Sequence, residues 1–178
     1  MKHPQTLVIL CVITAALASC SRNQQSSTNL TSASATPPAA EKITSESVVK
    51  VSVSPVEVAA GGFADAVVRL TVQNGYHINS NPPTYPYLKA TEFDLTDTSD
   101  ISLNSVFYPK PLVRKFEFAD QPLNVYEGEV QLTAVLEATK TAKKGQQSLP
   151  AKLRIQACDE RVCYPPGALD VMIPVLIK

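Results

Sequence analysis

Residues 149–158 read LPAKLRIQAC. In an extended chain successive side chains point to opposite faces, so Leu149, Ala151, Leu153, Ile155 and Ala157 share one face while Lys152, Arg154, Gln156 and Cys158 share the other. Apolar against polar with a period of two is the pattern of a strand that buries one side against a core. If the alternation persists to its end, Cys158 points away from that core, and its sulfur is reachable from solvent or a partner.

The same short period recurs on both sides of this stretch. Candidate strands cover residues 48–58, 64–73, 90–95, 101–108, 113–118, 125–136, 149–158 and 169–177, punctuated by Pro, Gly, Asn and Asp. Strands at this spacing, with turn residues between them and no long amphipathic helix, predict an all-β fold, an immunoglobulin-like antiparallel β-sandwich over residues 48–178. Residues 136–144 hold the helix formers Ala, Glu and Lys, and fit either a helical turn or a strand end. No internal repeat is visible.

Composition narrows the class. The 178 residues include 16 Lys plus Arg against 16 Asp plus Glu, with 18% charged residues and no Trp. A nucleic-acid partner is not expected, because phosphate binding calls for a basic patch or stripe. Beyond residue 20 no apolar run approaches the roughly 20 residues that a membrane-spanning helix needs. Nothing resembles a hydrolase triad, a phosphate-binding glycine loop or a dinucleotide fingerprint.

The amino-terminal residues read MKHPQTLVILCVITAALASC, with a Lys near the start, an apolar stretch and then small residues. This is the layout of a secretory leader. Its end, Leu17-Ala18-Ser19-Cys20, resembles the lipobox of bacterial lipoproteins, which implies a signal peptide over residues 1–19 and lipidation at Cys20. The other reading is a plain secretory leader with an incidental Cys. Several acyl chains on one residue give stable anchoring, so the expected product is tethered to the inner or outer membrane of the bacterial periplasm. Residues 21–47 are rich in Ser, Thr, Ala and Pro. They cannot bury enough surface to offset the entropy of ordering them, so residues 20–47 read as a lipidated Cys followed by a flexible linker.

With Cys11 in the leader and Cys20 on lipid, Cys158 and Cys163 are the thiols left to the folded part. They flank Asp159-Glu160-Arg161-Val162, and residues flanking a hairpin connection can lie opposite each other at disulfide distance. A bond here closes a very short loop and stabilises by roughly 2 kcal/mol on the loop-entropy model. Two readings stay open: a structural staple, which is the commoner use of a Cys pair in a secreted domain, and a site of thiol–disulfide exchange. Arg161 favours a thiolate, whereas Asp159 and Glu160 oppose one.

The segments QACDERVCYPP (156–166), GYHINSNPP (75–83), VFYPKP (106–111) and VYEGEV (125–130) resemble the amino-terminal periplasmic domain of the thiol:disulfide interchange protein DsbD, in the form that occurs as a separate secreted protein. The Cys hairpin followed by Tyr164-Pro165-Pro166 is the most specific part. The resemblance implies an immunoglobulin-like sandwich in which Cys158 and Cys163 form a redox-active disulfide and no dissociable cofactor is used. It implies electrons taken from a membrane-embedded thiol reductant of the DsbD/CcdA type and passed to periplasmic thioredoxin-fold proteins. Cys163 resembles the cysteine that forms the mixed disulfide with partners, and Cys158 the one that resolves it. Residues 116–124, FEFADQPLN, align with the family's cap loop, making Phe118 the cap aromatic with Glu117 and Asp120 as nearby acids. Phe118 is equally readable as a core aromatic of an alternating strand with Phe116. Tyr76, His77 and Asn79 align with an aromatic-rich strand near the family's site, where this chain has His and Asn in place of tyrosines. A lone His is more often a hydrogen-bonded residue than a catalyst, and a metal site from His77, Cys158 and Cys163 lacks a fourth ligand and zinc spacing. The family's transmembrane hub and carboxy-terminal thioredoxin domain have no counterpart in these residues, so the chain would be one link of a relay. A redox-inert binding module with a structural disulfide is the alternative.

Overall fold

The structure, a computed structural model, describes residues 42–96 and 100–178. The leader, the lipidation site Cys20 and the linker as far as residue 41 lie outside the described residues. Among the described residues twelve strands make three four-stranded sheets. The first runs β1 (Val49–Val53), β3 (Phe63–Val72), β9 (Glu129–Ala138), β6 (Ile101–Phe107), all antiparallel. The second runs β2 (Val56–Val58), β12 (Gly167–Ile177), β10 (Gly145–Ile155), β5 (Glu92–Leu95). Its β2–β12 pair is parallel, the one exception in the described residues to the antiparallel pairing expected. The third and smallest runs β11 (Ala157–Cys158), β4 (His77–Asn79), β8 (Leu123–Tyr126), β7 (Leu112–Arg114).

The period-two reading holds along the long strands. Leu149, Ala151, Leu153 and Ile155 are buried while Lys152 and Arg154 are exposed. Val68 and Leu70 of β3, Leu132 and Leu136 of β9, and Val171, Ile173 and Val175 of β12 join them in one core fed by the first two sheets. Side chains of this size stabilise by about 1.5–3 kcal/mol each when fully buried. They are the main reason the chain folds.

Three predicted strands are divided, each at an identifiable residue. The 48–58 run breaks at Ser54-Pro55, where proline has no N–H to give the ladder, and β1 and β2 enter different sheets. The 125–136 run breaks at Gly128, whose φ of +61° lies in the left-handed region that favours glycine, so β8 and β9 part company there. The 149–158 run breaks at Gln156, where the chain leaves the second sheet and begins β11 in the third. The 113–118 run is strand only as far as Arg114, and a turn follows in which the Ala119 N–H donates to the Phe116 carbonyl. Residues 136–144 are a strand end and a turn rather than a helix, with Ala142 N–H donating to Thr139.

Residues 44–47, assigned to the flexible linker by composition, are instead tied to the domain. Glu46–Val48 forms one 3-10 turn, and Ser45 is fully buried. The Ser45 hydroxyl donates to the Pro165 carbonyl at 2.7 Å and accepts the Ala157 N–H at 3.0 Å. Replacing Ser45 with Ala leaves that buried N–H without a partner, and is expected to lower stability by about 2 kcal/mol. Chemical denaturation of the two forms checks it.

Candidate functional site

The third sheet carries the site. Its strands are two to four residues long, and their placement comes from a polar clamp rather than from alternation. The Gln156 side chain accepts from the Asn79 amide and from the Lys89 N–H, both at 3.1 Å, and donates to the Tyr164 carbonyl at 3.2 Å. The Asn79 amide also donates to the Lys89 carbonyl at 3.0 Å, and the main-chain carbonyl of Asn79 accepts the Thr91 hydroxyl at 2.6 Å. Gln156, the residue at the strand break, thereby joins β4, the loop before β5 and the Cys hairpin.

Cys158 and Cys163 are disulfide-bonded, with Cα atoms 3.9 Å apart, across the tight turn 159–162. Asp159 shapes that turn. Its carboxylate accepts the N–H groups of Arg161 and Val162 at 2.8 and 2.9 Å, and the Tyr164 hydroxyl at 2.7 Å. Short polar side chains that accept from their own following backbone in this way favour turns over ladders. The hydrogen bonds hold the Asp159 carboxyl below its usual range, and the same bond pushes the Tyr164 hydroxyl up to about 12. The hairpin is thus held by an ionised carboxylate at neutral pH.

The two cysteines differ in access, and here the expectation that Cys158 is reachable from solvent fails. Cys158 is 0% exposed, not solvent-facing, whereas Cys163 is half-buried. The alternation itself persists, with Ala157 and its ladder partner Ile78 in the main core and Cys158 and its partner His77 outside it, but that other face is covered as well, His77 lying against Phe116. Cys163 lines a hollow of about 370 Å³ with Val162, Tyr87, Leu88, Phe118 and Leu123.

Phe116 and Phe118 do not share the strand face that one reading gave them. Phe116 is buried in a second, small core with Leu88, Leu123 and Val125. Phe118 is 39% exposed at the rim of the hollow, its ring stacked on Phe116 at 5.4 Å and on His77 at 6.4 Å. Glu117 and Asp120 are exposed in the same loop. Lys115 donates to the Ala119 and Asp120 carbonyls, tying that loop to itself. Tyr76 is half-buried, its ring 6.1 Å from that of Tyr164.

His77 is 2% exposed, stacked on Phe116 at 4.0 Å, and its Nε2 has no hydrogen-bond partner. Burial pushes the imidazole down to about 4, against the opposing pull of Glu127 and Asp159. It is therefore neutral at pH 7. The sequence reading missed the Gln156 clamp and the wall formed by Tyr87 and Leu88. The aromatic, proline-rich run NPPTYPY at 81–87 was the available signal for that wall. Among the described residues no group of three or more His, Cys, Asp or Glu is arranged to hold a metal ion, and no helix is long and apolar enough to cross a membrane.

A cysteine pair bonded across a short turn at the end of an immunoglobulin-like sandwich defines a domain of the thiol–disulfide exchange class. The chain belongs to the family described as thiol:disulfide interchange protein DsbD, N-terminal, whose model matches residues 44–173. Members of that family interact with thiol redox partners, and their working group is a disulfide. Among solved structures the chain is similar to the N-terminal periplasmic domain of ScsB from Proteus mirabilis, at 17% identity and a TM-score of 0.48 over 71% of this chain. It spans 45% of that ScsB chain. It is also similar to the seventh ScaB type I cohesin from Pseudobacteroides cellulosolvens, at 9% identity and a TM-score of 0.38, covering 72% of this chain and 92% of that one. No curated protein matches the chain.

Proposed function

We propose that this protein is a periplasmic electron shuttle, tethered by lipid on Cys20 after removal of residues 1–19, that carries reducing equivalents between a membrane-embedded thiol reductant of the DsbD/CcdA type and thioredoxin-fold acceptors. The observation that carries this reading is the asymmetry of the disulfide: Cys163 opens onto an apolar hollow while Cys158 is enclosed. A thiolate of the reductant attacks Cys163, and Cys158 leaves with the electron pair of the broken S–S bond. The second thiol of the reductant then resolves the adduct, leaving both cysteines as thiols. In the second half of the cycle the Cys163 thiolate attacks the acceptor's disulfide. Cys158 attacks Cys163 in turn, re-forming the internal bond and releasing the acceptor as a dithiol. Two electrons and two protons pass in each half, with no dissociable cofactor. Phe118 is the cap over this exchange, with Glu117, Asp120, Tyr76, His77 and Tyr164 as its surroundings.

The reduction potential of the Cys158–Cys163 bond tests the reading, by equilibration with glutathione or dithiothreitol and trapping of free thiols. A value between about −120 and −270 mV, where exchange proteins lie, is expected. A bond that stays oxidised until the domain unfolds identifies a structural staple in a binding module. Phe118 gives a second measurement. Its ring stacks are worth about 0.5–1.5 kcal/mol, so the Phe118→Ala variant is expected to be reduced by glutathione up to about tenfold faster.

A further inference from the structure

His77 stands directly opposite Cys158 in the antiparallel ladder between β4 and β11. Opposed residues in such a ladder send their side chains to the same face, with Cβ atoms about 4.5–5.5 Å apart. The ring is pinned in place by the Phe116 stack and shut off from solvent. Its Nε2 lacks a partner, and a buried polar atom in that condition calls for an explanation. In the disulfide form Cys158 has no hydrogen to offer. Reduction creates one, on the face where the unpartnered nitrogen lies.

We propose that His77 is the proton acceptor for Cys158: in the dithiol form the Cys158 thiol donates to Nε2, and during resolution its proton passes to the ring. The inference rests on the exchange reading above and assigns a residue to its slowest-looking step, the ionisation of an enclosed thiol. The S–H bond breaks as the Nε2–H bond forms, and the Cys158 electron pair makes the new bond to Cys163. The acceptor's sulfur leaves with the pair of the mixed disulfide and takes up a proton from water. Once the disulfide closes, the negative charge beside the ring is gone, and the imidazolium returns its proton to water.

Burial supports each end of this cycle. It keeps the ring neutral at pH 7 in the disulfide form, and a thiolate beside it raises its proton affinity in the reduced form. The other charged groups facing His77 are Glu127, Asp159 and Arg114, and Glu160 joins Glu127 and Arg114 in lining a second hollow, of about 130 Å³, beside the ring. None of them changes covalently with redox state, so a redox-dependent titration of the ring reports the cysteine pair, of which Cys158 is its ladder partner.

Ring titration by NMR on the purified mature chain tests this, with His77, the one histidine after residue 19, assigned against a His77→Phe variant. The His77 midpoint is expected near 4 in the disulfide form and at least about tenfold higher in proton affinity after reduction. Release of an acceptor from its mixed disulfide at pH 7 is expected to slow by about 100-fold in His77→Phe, which keeps the stack, and in His77→Gln, which keeps a polar side chain. The same midpoint in both redox states, or release by His77→Phe at the unsubstituted rate, overturns the proposal while leaving the exchange reading standing. A folded protein whose disulfide resists reduction overturns both. If a variant does not fold, the titration of the unsubstituted chain still decides.

Discussion

Replacing Cys163 with Ser is expected to abolish exchange, bringing the rate to that of a chain without either cysteine, whereas replacing Cys158 with Ser is expected to stall the chain as a mixed disulfide with its acceptor. The difference follows from access. Cys163 lines the hollow that a partner's cysteine must enter, and Cys158 is fully enclosed behind it. Without Cys163 no sulfur faces the partner. Without Cys158 the first attack still occurs, and nothing resolves the product. Non-reducing electrophoresis after mixing each variant with an oxidised thioredoxin-fold protein reads both results. The loop closed by the disulfide is short, so its loss costs about 2 kcal/mol and leaves a folded domain for the comparison. Adduct formation by Cys163→Ser would reverse the two roles, and no adduct with either variant would remove the exchange reading altogether.

Acid weakens the fold through His77 before the carboxylates contribute. The ring titrates near 4 in the folded chain against an ordinary 6.5, because burial disfavours its charged form. The unfolded chain therefore binds the extra proton between these values, and stability rises with pH across that window. The contribution is complete above about pH 6.5 and is lost as the pH falls toward 4, a total of about 3 kcal/mol. Asp159 and Glu46, whose carboxyls are held below their usual range by hydrogen bonds, lose their contributions only at lower pH. Urea denaturation at a series of pH values should show the loss between 6.5 and 4 in the unsubstituted chain and its absence in His77→Phe. Equal slopes in the two chains would mean that the ring ionises without cost and is not sealed.

The long strands were legible because each obeys one rule from end to end. β3, β9, β10 and β12 bury every second residue along most of their length, and no helical period competes with them. The short strands were not. In β4 the residues His77, Ile78 and Asn79 are all buried, so no alternation exists to be read. Parity held at Cys158, which stays outside the main core, but exposure could not be read from it, because the other face of β4 and β11 is covered too. The cysteine hairpin itself was plain from spacing and from Tyr164-Pro165-Pro166, since turn and motif are local. The His77–Phe116 stack and the Gln156 clamp join residues 39 or more positions apart in the chain or across three loops, and only the folded backbone brings them together.

Ser45 has a mechanical consequence. The chain ahead of it leads toward residue 20, and among the described residues its earliest tie to the hairpin is a hydroxyl bonded to Ala157 and Pro165. Those two residues lie next to Cys158 and two positions past Cys163. Tension applied from the leading segment is therefore delivered to the cysteine hairpin before it reaches β1 or the main sheets. In the tethered shuttle proposed above, the hairpin would be at once the working end of the domain and the point from which it hangs.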